Sequence, residues 1–320
     1  MGFSCIGSFA YMPFKKKILY CLFSGFIFIP VAFSQYKFEK PVVIGSELGF
    51  RFNNIRSVIK GNDGFMWLGT SEGLCRFDGQ QVKTIKLTDN FNNAPFTNSV
   101  FAVLPVESEI WAGTSQGLSV MNSRDYTFRH YQFTENGKSD SLKRSIDQQV
   151  SVLHCDRFGT LWVGTRRGIC MYDEAKDNFQ FFSHSKKEFP PLFPSLGSDI
   201  AILSIESSKT NDSVIWAGTA AGLQEINQYS GRVRLYTFPQ QNKDYQVALN
   251  AFRRLYHHDD GLLYVGSWAA GVNVFNPVKA TFTPLEVKSE NGKRIFSKPI
   301  EGICRKNDHE IWITSVAGLA

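Results

Sequence analysis

Apolar and polar residues alternate along the chain in short runs broken by glycine, aspartate or asparagine. Strict alternation places successive side chains on opposite faces and predicts β-strands. Ile55 to Ile59 and Val150 to Leu153 are runs of this kind. Each leads into a turn with Asp-Gly or Asp-x-x-Gly chemistry, at Asp63-Gly64, Asp156 to Gly159 and Asp260-Gly261, whose glycine supplies a positive φ. A second run carries a tryptophan and, two residues on, a glycine; a further glycine then closes a hairpin. A third run (Leu74 to Phe77, Ile169 to Tyr172) precedes a fourth, aromatic one (Phe128 to Tyr131, Phe179 to Phe182, Val233 to Tyr236). Each unit therefore reads as four antiparallel strands.

The unit repeats. GFMWLGTSEGLCRFDG starts at Gly64, EIWAGTSQGLSVMN at Glu109, GTLWVGTRRGICMYDE at Gly159 and VIWAGTAAGLQEIN at Val214, followed by the weaker GLLYVGSWAAGVNVFN at Gly261 and EIWITSVAGLA at Glu310. The anchors Trp67, Trp111, Trp162, Trp216, Tyr264 and Trp312 lie 44, 51, 54, 48 and 48 residues apart. A lone four-stranded sheet of this size exposes two apolar faces and must stack against like sheets on both sides. Radial stacking of a large Trp against a nearby Gly fits a β-propeller. An array of immunoglobulin-like sandwiches needs about 100 residues per unit, too long for this period. The expected fold is all-β, with blades near residues 50–88, 97–133, 147–184, 198–238 and 249–285 and a partial blade at 299–320. Five full copies and one partial imply an incomplete seven-bladed ring, an open arc.

Composition changes this picture little: 43% hydrophobic and 20% charged residues in 320 describe a folded chain. The leader does change it. Lys15 to Lys17 precede an apolar run from Ile18 to Ile29, then Pro30 and the small-residue pattern Ala32, Phe33, Ser34. This predicts a signal peptide over residues 1–34, cleaved before Gln35, with Met1 and Met12 both open as the start of translation; the alternative is an uncleaved anchor. Cys21 lies too near the lysines for a lipoprotein site. Losing three lysines reduces the formal charge from +6 to about +3. With basic residues scattered through the repeats, nucleic acid is not an expected partner. Cys75, Cys155, Cys170 and Cys304 remain, without metal-ligand spacing, and are expected as buried free thiols.

The pattern of Asp or Asn, Gly, Leu or Ile, Trp-x-Gly-Thr, two residues, Gly-Leu, then an aromatic with Asp or Asn resembles the two-component regulator propeller repeat. The resemblance spans roughly Phe38 to Ala320. It implies the periplasmic sensor region of a hybrid histidine kinase, in which such repeats form two propellers before a β-sandwich, a membrane span and cytoplasmic signalling domains. It further implies a response to glycans, homodimers of the longer relatives and anchorage in the inner membrane. The fifth copy departs from the pattern, with Ser267 for Thr and Trp268, Ala269 and Ala270 lengthening the hairpin; the sixth has Thr314 for Gly.

No phosphate-cradling loop, GxSxG elbow or HExxH pair occurs, so neither catalysis nor a cofactor is expected of this chain. His257 to Asp260 read as a solvated turn, and Asp78, Asp173, Asn122, Asn227 and Asn276 as turn residues at one repeated position. Function then belongs to one end of the axis, where the loop into each inner strand meets the hairpin after each Trp strand. Asn54, Asn98, Gln149, Asp199 and Asn250 are expected to ring the channel mouth. Arg166 and Arg167, Glu72 and Trp268 would present hydrogen-bonding groups and an aromatic platform to a sugar. The competing reading is a secreted propeller enzyme of lyase or lactonase type, for which only Asp199 is acidic among the ring positions.

Overall fold

The computed structural model describes residues 49, 54–87, 98–133, 148–166, 168–182, 201–238, 250–286, 299–307 and 310–315, and the backbone of 318–319. All lie in the compact unit from Ile44 to Ala320. The leader, its cleavage point, Arg167 and Asp199 fall outside the described residues.

Six antiparallel sheets follow one another along the chain, five of four strands and a last of three, each in the order in which its strands occur. The first strands are Ile55–Lys60, Val100–Val106, Val150–Cys155, Ile202–Ser207, Phe252–His257 and Ile300–Arg305. Each packs against the next, and five of them line one common cavity, so they are the inner strands around an axis. The second strands, Met66–Thr70, Glu109–Thr114, Leu161–Thr165, Val214–Thr219, Leu263–Ser267 and Ile311–Ser315, carry the aromatic anchors. The sixth sheet begins its third strand at Gly318–Leu319. The fold is the expected all-β propeller arrangement, with five complete blades and one partial.

The repeat has a physical reason at each position. The core consists of layers between successive blades: Trp67 against Val100 and Val103, Trp162 against Ile202 and Ile205, Trp216 against Phe252 and Leu255. Trp67, Trp111, Trp162 and Trp216 are buried, whereas Tyr264 and Trp312, in the last two blades, are only partly so. The glycine two residues after each Trp makes room for the next blade. A Cβ on Gly113 would come within 2.6 Å of Val150, the first inner residue of the following blade. The Thr after that glycine closes the hairpin: Thr70, Thr114, Thr165 and Thr219 donate through Oγ1 to the carbonyls of Gly73, Gly117, Gly168 and Gly222 at 2.8–2.9 Å. Those four hairpin glycines have φ between 124° and 151°, a conformation that L side chains avoid.

All six inner strands share a β-bulge after their first residue, at Arg56, Phe101, Ser151, Leu203, Arg253 and Glu301. A bulge increases local twist and re-aims a side chain. The turn position was read as expected. Asp78, Asn122, Asp173, Asn227 and Asn276 each accept hydrogen bonds from backbone N–H groups two or three residues on.

Three expectations need correction. His257 is not in a solvated turn: it ends the fifth inner strand fully buried, its Nδ1 accepting from the Lys209 N–H of the preceding blade at 2.9 Å. The turn begins only at His258, because the strand runs to the register pair of His257 with Leu263. Cys75 and Cys170 are buried free thiols, but Cys155 is only partly buried and Cys304 is exposed.

Candidate functional site

The hairpins and the inner-strand leads share one end of the molecule, here called the loop face. One backbone bond recurs there in three successive blades: Arg166 N–H to the Gln149 carbonyl, Ala220 N–H to Ala201 and Trp268 N–H to Ala251, at 3.0–3.2 Å. Below that end, around the axis, lies a cavity of about 250 Å³. Five blades line it, with the bulge residue or the residues just after it, from Arg56 and Ser57 through Phe101, Ser151 and Leu203 to Arg254 and Leu255.

The described charged groups at this end include several arginines and Glu301, with Glu72 and Arg166 on the hairpins. Arg253 pairs with Glu301 of the next blade at 2.9 Å and lies 4.5 Å from the centroid of the Trp268 ring. Trp268 is 49% exposed beside this pair, because its lengthened hairpin carries it out of the sheet. Arg254 donates from Nε to the Glu301 carbonyl at 2.6 Å and from Nη1 to the Arg253 carbonyl at 2.8 Å. Arg56 lies 4.1 Å from the Phe101 centroid and donates to Ser99 Oγ.

The five amides and carboxylates expected at the mouth do not occupy one repeat position. Aligned on the first residue of each inner strand, Asn98 and Asn250 stand two places before Val100 and Phe252. Asn54 and Gln149 stand one place before Ile55 and Val150. Asn98 and Asn250 act alike: their Oδ1 atoms accept from the N–H of Leu87 and Phe238, at the end of the preceding blade's outer strand, at 2.9 and 2.8 Å. They anchor the connection between blades. Asn54 and Arg166 are exposed and Gln149 is partly so. The residues that sequence reasoning missed are Arg56, Phe101 and Arg254, which line the axial cavity at or just after the bulge, and the Arg253–Glu301 pair of bulge residues beside Trp268.

The opposite end, the turn face, is held blade to blade. The Asp156 carboxylate caps its own turn, accepting from Phe158 N–H and Thr160 N–H at 2.9 Å and from the Trp162 indole at 3.1 Å. Arg157 pairs with Asp212 of the next blade and Arg305 with Asp259 of the previous one. His154 and Glu206 occupy one repeat position in adjacent blades, opposite Trp162 and Trp216. His154 Nε2 meets Ser207 Oγ at 2.7 Å, and burial lowers its pKa to about 4. Burial raises the Glu206 pKa to about 7, partly offset by Lys209 and by the His257 N–H. Among the described residues, no three His, Cys, Asp or Glu side chains group as a metal site, and no helix is long and apolar enough to cross a membrane.

Comparison with known proteins places this architecture. The two-component regulator propeller repeat matches residues 49–72. The extracellular domain of the putative hybrid two-component system BT3049 from B. thetaiotaomicron is similar in structure, with a TM-score of 0.64 at 24% identity over 87% of this chain and 34% of that one. The extracellular domain of the putative one-component system BT4673 from the same organism has a TM-score of 0.56 at 16% identity, over 83% and 38%. Virginiamycin B lyase from Staphylococcus aureus has a TM-score of 0.57 at 15% identity, over 83% and 78%. The chain thus spans about a third of the length of the two extracellular domains. A search of curated proteins finds no match. These likenesses establish a shared propeller fold, and on it the chain carries the two-component regulator propeller repeat.

Proposed function

We propose that this chain is the noncatalytic, ligand-sensing propeller of an exported two-component regulator, and that the loop face receives a glycan. The observation that carries this reading is the loop face itself, joined to the regulator repeat. A half-exposed Trp268 stands beside the Arg253–Glu301 pair above an axial cavity, on blades whose other tryptophan anchors lie between sheets. Sugars are bound by such pairing of an aromatic face with polar groups of fixed direction. The periplasmic location, further propeller and β-sandwich domains, and a homodimer of the longer protein belong to the same reading. Their support is the likeness to extracellular domains more than twice as long as this chain.

Calorimetric titration of the purified chain with neutral and acidic oligosaccharides tests this. The expected result is saturable binding with no change in the saccharide. New reducing or unsaturated ends after incubation would replace the sensor with the lyase-type reading.

A further inference from the structure

We propose that the axial cavity is an oxyanion site, built on Arg254 with Arg56 as its second cation, and that its ligand is a sugar bearing a carboxylate or sulfate group. This rests on reading the loop face as the ligand-binding face, and it gives that ligand a chemical class.

Alignment of the six inner strands on their shared bulge carries the argument. The residue opposite the second-strand glycine, or its sixth-blade counterpart, is Ser57, Ala102, Val152, Ser204 and Gly302 in five blades. In the fifth blade it is Arg254, opposite Gly266. A small side chain suffices for blades to approach one another, so packing does not call for a guanidinium here. Neither does an ion pair. Glu301 gives its carboxylate oxygen to Arg253 and only its backbone carbonyl to Arg254. A guanidinium has five N–H donors, and two carbonyls occupy two of those on Arg254 while fixing the direction of the rest.

Among the described residues lining the cavity only Arg56 and Arg254 are charged, and the others are apolar or serine. Arg253 and Arg254 both engage Glu301, and its carboxylate goes to Arg253. Burial holds the Arg254 pKa below its ordinary value, yet an arginine remains charged at any physiological pH. A partly buried cation whose neighbouring carboxylate, Glu301, is already bonded to another arginine is costly, and an anion entering the cavity relieves that cost. A planar guanidinium matches carboxylate and sulfate oxygens in pairs. Arg56, stacked on Phe101, supplies a second fork from the first blade. At about 250 Å³ the cavity lies below the roughly 300–1,000 Å³ of drug-sized pockets, which favours one anionic sugar residue over a long chain.

The test titrates the full chain with α-1,4-linked digalacturonate, neutral α-1,4-linked digalactose and sodium sulfate at matched ionic strength. The expected result is at least tenfold tighter binding of the acid than of the neutral disaccharide, an advantage that shrinks as sodium chloride rises. Arg254→Met should remove that advantage, Arg254→Lys should keep part of it, and the exposed control Arg232→Met, in the turn before an outer strand, should leave it intact. Should Arg254→Met fail to fold by circular dichroism, Arg56→Met is the second variant, expected to weaken the acid severalfold. Equal affinity for acid and neutral disaccharides overturns the oxyanion site while leaving glycan sensing in place. Sulfate binding as tightly as digalacturonate, and lost in Arg254→Met, supports the oxyanion site and removes the sugar from the sensing reading. Unchanged acid binding in Arg254→Met overturns the proposal outright.

Discussion

The two ends of this propeller use the same repeat in opposite ways. On the turn face, polar side chains hold the scaffold: Asp156 caps its own turn and an indole, His257 takes the Lys209 N–H of the preceding blade, and His154 meets Ser207 of the next. On the loop face, the backbone does the repetitive work through the threonine-closed hairpins and the bulge. The side chains at the bulge are then free to differ, as Arg56, Phe101, Ser151, Leu203, Arg253 and Glu301 do. Where the backbone supplies the geometry, side-chain identity becomes available for recognition. Substitutions between blades and on the turn face should therefore act on stability, and those on the loop face on binding.

The largest expected effect is that of Trp162→Ala. This ring is fully buried among Ile169, Ile202 and Ile215, so its loss leaves a cavity between the third and fourth blades. The cost should be about 3–5 kcal/mol in denaturant titration, the range for large core aromatics. A cost near zero would mean that the two blades do not share a core.

Next comes the pH dependence set by Glu206. Its folded pKa of about 7 lies above the unfolded carboxylate value, so the folded chain binds the proton more tightly than the unfolded one. Its contribution is full below about pH 4.5 and is lost as pH rises through 7, a difference of up to about 3 kcal/mol. Glu206→Gln should flatten the stability profile between pH 5 and 8 and raise stability most at the alkaline end. His154 works on the other side. Its folded pKa of about 4 makes stability fall as pH drops from 6.5. Urea melts across pH read both; a profile unchanged by Glu206→Gln would show that this carboxyl is not desolvated.

The cap at Asp156 is a smaller and more specific case. Asp156→Ala would leave the buried Trp162 indole N–H and two turn amides without their acceptor, at a cost of roughly 1–3 kcal/mol. Trp111 and Trp216 already hold buried indole nitrogens without a hydrogen-bond partner. A negligible cost for Asp156→Ala would therefore show that the propeller tolerates this omission in every blade. Urea midpoints of the variant and its parent decide the matter.

The legible and illegible parts of this fold divide along the same line. The Trp-x-Gly-Thr unit is readable because each of its residues has one physical task, and a task repeated in the first four blades stands out. The Asp or Asn turn position was readable for the same reason. The bulge was not, because it is a backbone irregularity with no residue type of its own. Without it, the polar residues leading the inner strands look alike in the sequence, although one place of register separates Asn98 from Gln149. Arg254 was missed because an arginine in an alternating strand reads as solvent-facing. Its oddity shows only beside Ser57, Ala102, Val152, Ser204 and Gly302. His257 was placed in a turn because two histidines before two aspartates look polar, whereas the strand absorbs the first of them.

The smallest expected stability effect is that of Trp268→Ala, and it separates the two ends most directly. Trp268 has the same chemistry as Trp162 but half its surface in solvent, and it rests on Arg253 without belonging to an interblade core. Truncation should cost under about 1 kcal/mol, the scale of an exposed cation–π contact together with a little apolar area. The hairpin should survive, because Ser267 Oγ accepts from Ala270 N–H and Ser267 N–H donates to the Gly271 carbonyl, neither of which needs the indole. Oligosaccharide affinity, in contrast, should fall by about tenfold or more, since stacking on an aromatic face contributes on the order of 1–3 kcal/mol. Paired urea and calorimetric titrations of the variant give both quantities. A stability loss matching that of Trp162→Ala would assign Trp268 to the core, and intact binding would move the ligand off this hairpin.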